Sequence, residues 1–167
     1  MSVELFILIA ISLSSFVSIF YIPKTKYRLA FISFLAFEAT TWASINILVQ
    51  TSAISFPVRV IFTKATQVGF IQNFLFFPMI YAWFMLLYQN KAALIGKMLH
   101  YIVFISVIVW TIYFFSIYTE LEDFTKGTAY TQLIRLYISF SVQFVLCHLY
   151  VHWLSKKTNL IVGNEAQ

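Results

Sequence analysis

Five apolar runs, each near the length of a bilayer-spanning helix, divide this chain: Leu5 to Ile22, Leu29 to Val49, Phe70 to Tyr88, Tyr101 to Tyr118 and Leu133 to Leu154. A spanning helix needs about 20 mostly apolar residues. Polar punctuation closes them, with Pro23-Lys24-Thr25-Lys26-Tyr27-Arg28 after the first and Lys156-Lys157 after the last. Glu38 interrupts the second run and Pro78 lies inside the third. The pattern predicts an all-α membrane protein, a five-transmembrane-helix bundle over residues 1–157 with a short cytoplasmic tail at 158–167. Between the second and third runs, segment 51–69 is apolar but broken by Pro57, Arg59 and Lys64. It is too short to span and too apolar to float free, so it reads as interfacial or re-entrant.

Charge orients the bundle. Lys24, Lys26, Arg28, Lys91, Lys97, Lys156 and Lys157 fall on one side, whereas the other carries Arg59, Lys64 and Lys126. Short loops rich in Lys and Arg face the cytoplasm, which predicts the N-terminus outside and the C-terminus inside. The flank Met1-Ser2-Val3-Glu4 lacks a basic n-region, and a basic stop follows the first run, so that run reads as an anchor. Glu120, Glu122 and Asp123 read as a solvated outer turn.

Composition sharpens the class. Apolar residues make up 61% and charged residues 10% of the chain, too few charges to coat a water-facing surface. The same numbers exclude disorder. A net charge of +5 is spread between apolar runs and not gathered in a patch, which argues against nucleic-acid binding. A single cysteine, Cys147, allows no intrachain disulfide. The expected location is the bacterial cytoplasmic membrane, with the lipid bilayer and a second copy or a membrane partner protein as neighbours.

Several short motifs point the same way. Phe56-Pro57-Val58-Arg59, Lys64-Ala65-Thr66 and Phe70-x-x-Asn73-Phe74-x-x-Phe77-Pro78 together resemble a family of small hydrophobic membrane proteins from endospore-forming bacteria. In that family an aromatic-Pro-Val-Arg element follows the second span, and a Phe-rich segment ending in aromatic-Pro opens the third. The stretch from Lys26-Tyr27-Arg28 to Trp42 and the closing Trp153-Leu154-Ser155-Lys156 are similar in placement. One departure is Asn73, where the family commonly has Glu. The resemblance implies multi-pass topology and bacterial origin, and no mechanism.

Polar groups at membrane depth are costly and usually face protein or a water-filled cavity. On the fifth run Gln132, Arg135, Ser139, Gln143 and Cys147 recur every three or four residues and share one helix face. They read as interhelical glue or as a hydrophilic path. On the second run Glu38, Thr41, Trp42 and Asn46 follow the same spacing. Small residues at Ala36, Thr40 and Ser44, and at Ala10, Ser14 and Ser18, predict packing seams. Glu38 is the one carboxylate deep in a run, about 15 Å from Arg28 at 1.5 Å per residue. Gln143 or His148 is its expected partner, and Arg135, with Asn73 at comparable depth, the outer gatekeeper. His148 and His152 stand one turn apart, and His100 lies in the same half. They are weak metal candidates, His100 and His152 being readable as solvated, and no cofactor is predicted. Phosphate loops, Gly-x-Ser-x-Gly and His-Glu-x-x-His are absent, so catalysis is the least favoured class. The leading expectation is a permeation or transport component for a small solute or ion, acting as a homo-oligomer. The alternative is a non-catalytic membrane sensor or interaction subunit, with a metal- or haem-binding redox protein as a minor third.

Overall fold

The computed structural model describes residues 3–51, 54–56, 69–124 and 129–158. Its elements are α1 (Val3–Phe20), α2 (Tyr27–Gln50), β1 (Ile54–Ser55), α3 (Phe77–Leu87), α4 (Leu94–Tyr118), β2 (Asp123–Phe124) and α5 (Ala129–Thr158). A single 3-10 turn, Lys24–Lys26, leads into α2, and a π-helical turn, Gln72–Phe76, leads into α3. Among the described residues four helices are long and apolar enough to cross a membrane: α1, α2, α4 and α5. The apolar stretch Gln72–Leu87 is shorter than these.

The bundle is built around α2, which packs chiefly on α3 and α5, while α4 packs on α5 and α3. Aromatic rings fill the centre. Phe37 is fully buried, stacks on Tyr81 at 4.8 Å between centroids and meets Phe144 edge-on at 5.4 Å. Phe84, also fully buried, stacks on His100 and lies edge-on to Tyr101 and Phe144. Such offset and edge-on pairs contribute about 0.5–1.5 kcal/mol each beyond the area they bury. Outward residues such as Phe31, Ile102, Trp110, Ile138 and Leu149 remain exposed, as expected of a lipid-facing surface.

Helix α3 starts irregularly because of Pro78. Proline has no N–H and its ring crowds the carbonyl four residues back, so a regular helix cannot run through it unchanged. The chain answers with the wide turn, in which the Phe77 N–H bonds the Gln72 carbonyl. The Asn73 side chain then donates to the Gly69 carbonyl at 2.9 Å. Gly69 is required by proximity, since a Cβ there would lie 2.1 Å from Gln72 Nε2 and 2.9 Å from Phe56 Cδ1.

At the other end of α3 two basic side chains serve the last turn. Lys26 Nζ donates to the Leu86 carbonyl at 3.4 Å, and His100 Nε2 lies 3.0 Å from the Phe84 carbonyl. Helices leave their last four carbonyls without internal partners, and basic groups there also oppose the dipole. His100 is therefore held in the packing, half-buried on α4, instead of being solvated.

Two other expectations change. Helix α4 begins at Leu94, well before Tyr101, because Leu94, Ile95, Met98 and Leu99 extend its apolar surface and carry Lys97 onto the helix. Ser14 and Ser18 bond carbonyls of their own helix, and the buried serine of α1 is their neighbour Ser15. The fold is all-α, with one small addition: Ile54 and Ser55 pair antiparallel with Phe124 and Asp123, joining two interhelical connections at one end. Phe56 is buried beside this pair. Pro57, Arg59 and Lys64, and with them most of segment 51–69, lie outside the described residues.

Candidate functional site

A cleft of about 110 Å³ opens between α2, the π-turn and α5, at the end closed by the β1–β2 pair. Its polar lining comes from Thr41, Ser44, Asn73, Glu122, Gln132, Arg135, Ser139 and Gln143. Each arrives by a local rule. The three- and four-residue spacing on α5 puts Gln132, Arg135, Ser139 and Gln143 on one face. Asn73 is turned inward by the π-turn and is buried. Glu122 comes from the connection between α4 and β2, beside the buried Leu121.

The floor of the cleft is a hydrogen-bonded knot between α5 and α2. Gln143 Nε2 donates to Thr41 Oγ1 at 2.6 Å and to Thr40 Oγ1 at 3.0 Å. Thr40 Oγ1 also lies 3.3 Å from Cys147 Sγ, and the thiol approaches the Ala36 carbonyl at 3.6 Å. The small residues Ala36 and Thr40 thus let α5 approach α2 closely enough for these bonds. Beneath the knot the core closes on Phe37, Tyr81 and Phe144.

Glu122 is the unusual member. Its exposure is 3%, and its Oε2 is buried with no hydrogen-bond partner. Desolvation raises its pKa to about 8, because burial penalises the charged form. The acidic turn therefore splits: Glu120 and Asp123 are exposed, as expected, but Glu122 is not solvated. The sequence signal for this was present in Leu121 and Phe124, apolar residues flanking the acid in a connection that must cover the bundle's end.

The remaining expected site residues divide. Arg135 and Ser139 are exposed yet line the cleft, and Arg135 forms no ion pair among the described residues. Glu38 is half-buried and forms no hydrogen bond or ion pair among the described residues. Its expected partners are engaged elsewhere, Gln143 with Thr40 and Thr41, and His148 Nδ1 with the Tyr101 hydroxyl. Trp42 is exposed, and Asn46 donates to the Trp42 carbonyl on its own helix. Neither lines the cleft. His148 also stacks on Tyr101 and meets Tyr88 edge-on, while His152 is half-buried one turn away. Among the described residues no three His, Cys, Asp or Glu side chains gather as a metal site.

A larger groove of about 650 Å³ runs between α1, α2 and α3, lined by Ile19, Phe31, Phe34, Leu75 and Met79 with Arg28 among them. It lacks the convergent polar groups that orient a solute, which the smaller cleft has. No protein-family profile, curated protein or solved structure matches this chain.

Proposed function

We propose that this chain is a five-span protein of a bacterial cytoplasmic membrane, with its N-terminus outside and its C-terminus in the cytoplasm. In this reading the stretch from the π-turn to the end of α3 is the third span, shortened but protected by its neighbours. Reporter fusions after Lys26, Lys91 and Lys157 should then report the cytoplasm, and those after Thr63 and Glu122 the exterior. Agreement between the Lys91 and Glu122 fusions would exclude five spans.

Within that topology the protein serves as a permeation or transport component for a small polar solute or ion, assembled from several copies. The observation that carries this reading is the cleft, where eight polar side chains from α2, the π-turn, the α4–β2 connection and α5 converge in an otherwise apolar bundle. Polar groups at that depth are retained where they meet a solute, water or one another. Vesicles containing the purified protein should pass small ions or small polar solutes faster than empty vesicles. Filling the floor with Gln143→Leu should abolish the difference. Equal flux with and without protein would remove the transport reading.

The floor also favours a second reading. The knot of Gln143, Thr40 and Thr41, backed by Phe37 and Phe144, ends the cleft blindly. A cleft that binds without passing its solute suits a sensor or interaction subunit. Binding without flux would decide for it.

A further inference from the structure

Glu122 and Arg135, an acid and a base, line the same cleft and are not paired with each other. Arg135 is exposed, so its guanidinium can move, whereas Glu122 is buried with Oε2 unpartnered. An unpaired buried carboxyl costs free energy, and a docked cation or ammonium group would relieve it. A guanidinium one helix away supplies the opposite contact, a fork suited to a carboxylate or phosphate. The same lining holds Asn73, Gln132 and Ser139, neutral groups able to hydrogen-bond a polar body. The volume of about 110 Å³ is enough for several waters or one small solute.

From this we infer that the cleft binds a small zwitterion, its ammonium group against Glu122 and its anionic group against Arg135. The inference deepens the solute-binding reading above and rests on the cleft being a binding site, but not on transport. Two sources share this chemistry: a free amino acid, and the ethanolamine headgroup of a phospholipid. Burial keeps Glu122 largely protonated at neutral pH, so docking an ammonium group releases that proton. Arg135 and Glu122 are the charged groups lining the cleft, with Asp123 exposed on the adjoining strand.

The test uses the full chain in nanodiscs of phosphatidylglycerol, with thermal unfolding followed by tryptophan fluorescence. A ligand that binds the folded state raises Tm in proportion to its occupancy. Alanine should raise Tm more than methylammonium or acetate at the same concentration. Glu122→Gln and Arg135→Gln should each weaken that response by about tenfold or more. Ser14→Ala, on α1 and outside the lining of the cleft, should leave it unchanged. If phosphatidylethanolamine in the disc stabilises the native chain but neither variant, and free alanine does not, the source is the lipid headgroup. The inference is overturned if no zwitterion outperforms its single-charge halves, or if either variant keeps the full response. Binding without flux would leave it standing while removing transport.

Discussion

The two ends of the bundle treat polar groups in opposite ways. At the end marked by the 3-10 turn, three polar side chains are matched, Lys26 with the Leu86 carbonyl, His100 with the Phe84 carbonyl, and His148 with Tyr101, although the Tyr81 hydroxyl deeper in the packing has no partner among the described residues. At the end marked by the β1–β2 pair, a carboxylate oxygen is buried without a partner and a guanidinium lines the cleft unpaired. Helix α5 contributes to both ends, with aromatic and polar residues in each half. The difference lies in what faces it. One half meets rings and carbonyls on α3 and α4, and the other meets the α4–β2 connection across a cavity. A matched network rigidifies, whereas an unmatched one keeps interaction energy available for a ligand.

If that contrast holds, substitutions at the packed end should cost the most. Phe84→Ala removes a fully buried ring in contact with Tyr81, His100, Tyr101 and Phe144, and should destabilise by about 3–5 kcal/mol. Thermal unfolding in detergent measures it, and an unchanged Tm would erase the distinction between the ends.

A smaller effect, on the order of 2 kcal/mol, belongs to Glu122, because water entering the cleft relieves part of its desolvation. Its folded pKa of about 8 stands above the model-compound value of 4.5. The folded state therefore holds the proton more tightly, and stability falls as pH rises between those two values and levels off above them. Glu122→Gln should abolish this slope and be more stable than the native chain at alkaline pH. A native stability curve that rises through that window would mean the carboxylate finds a cation in the folded state.

Next comes the entrance to α3. Gly69→Ala would place a Cβ against Gln72 Nε2 and Phe56, and should cost about 1–2 kcal/mol by forcing Gln72 from its place at the π-turn. Because this disturbs the cleft wall but not the packed end, hydrogen exchange should quicken around 70–76 and not around 100–104. Uniform acceleration would show the two ends to be one cooperative unit.

The smallest expected change tests the floor between them. Thr41→Val deletes one acceptor of Gln143 and should cost about 0.6 kcal/mol, the usual size of an interhelical bond in a membrane bundle. A Thr41→Val, Gln143→Leu cycle gives the coupling directly; zero coupling would mean that the knot does not join the helices.

The helices were legible in the sequence because apolar length is a one-dimensional property. All five runs appear as helix; α4 begins earlier because Leu94 and Ile95 continue the apolar surface beyond Lys97, and α5 extends past Leu154 through Lys156 and Lys157. The face of α5 was legible as well, since spacing alone groups Gln132, Arg135, Ser139 and Gln143. What spacing cannot supply is the angle at which a neighbouring helix presents itself. Depth alone made Glu38 the partner of Gln143, yet a rotation of α2 by a few residues offers Thr40 and Thr41 instead. Glu122 was hidden differently. An acid in a short polar run looks solvated until the pairing of Asp123 and Phe124 with Ser55 and Ile54 closes the bundle over it. Strands of two residues, far apart in sequence, leave no periodic trace.

The capping of α3 has a consequence for how the chain is made. One of its two caps, Lys26, is synthesised before it and the other, His100, after it. In a five-span membrane protein this helix leaves the ribosome with its final turn half-finished, and it is also the shortest apolar segment of the set. It should therefore rest poorly in the bilayer until α4 arrives to complete it. A chain truncated after Tyr88 should release this segment to alkaline extraction, while one truncated after Tyr118 should hold it. The order of synthesis, and not apolarity alone, would then determine when the third crossing becomes permanent.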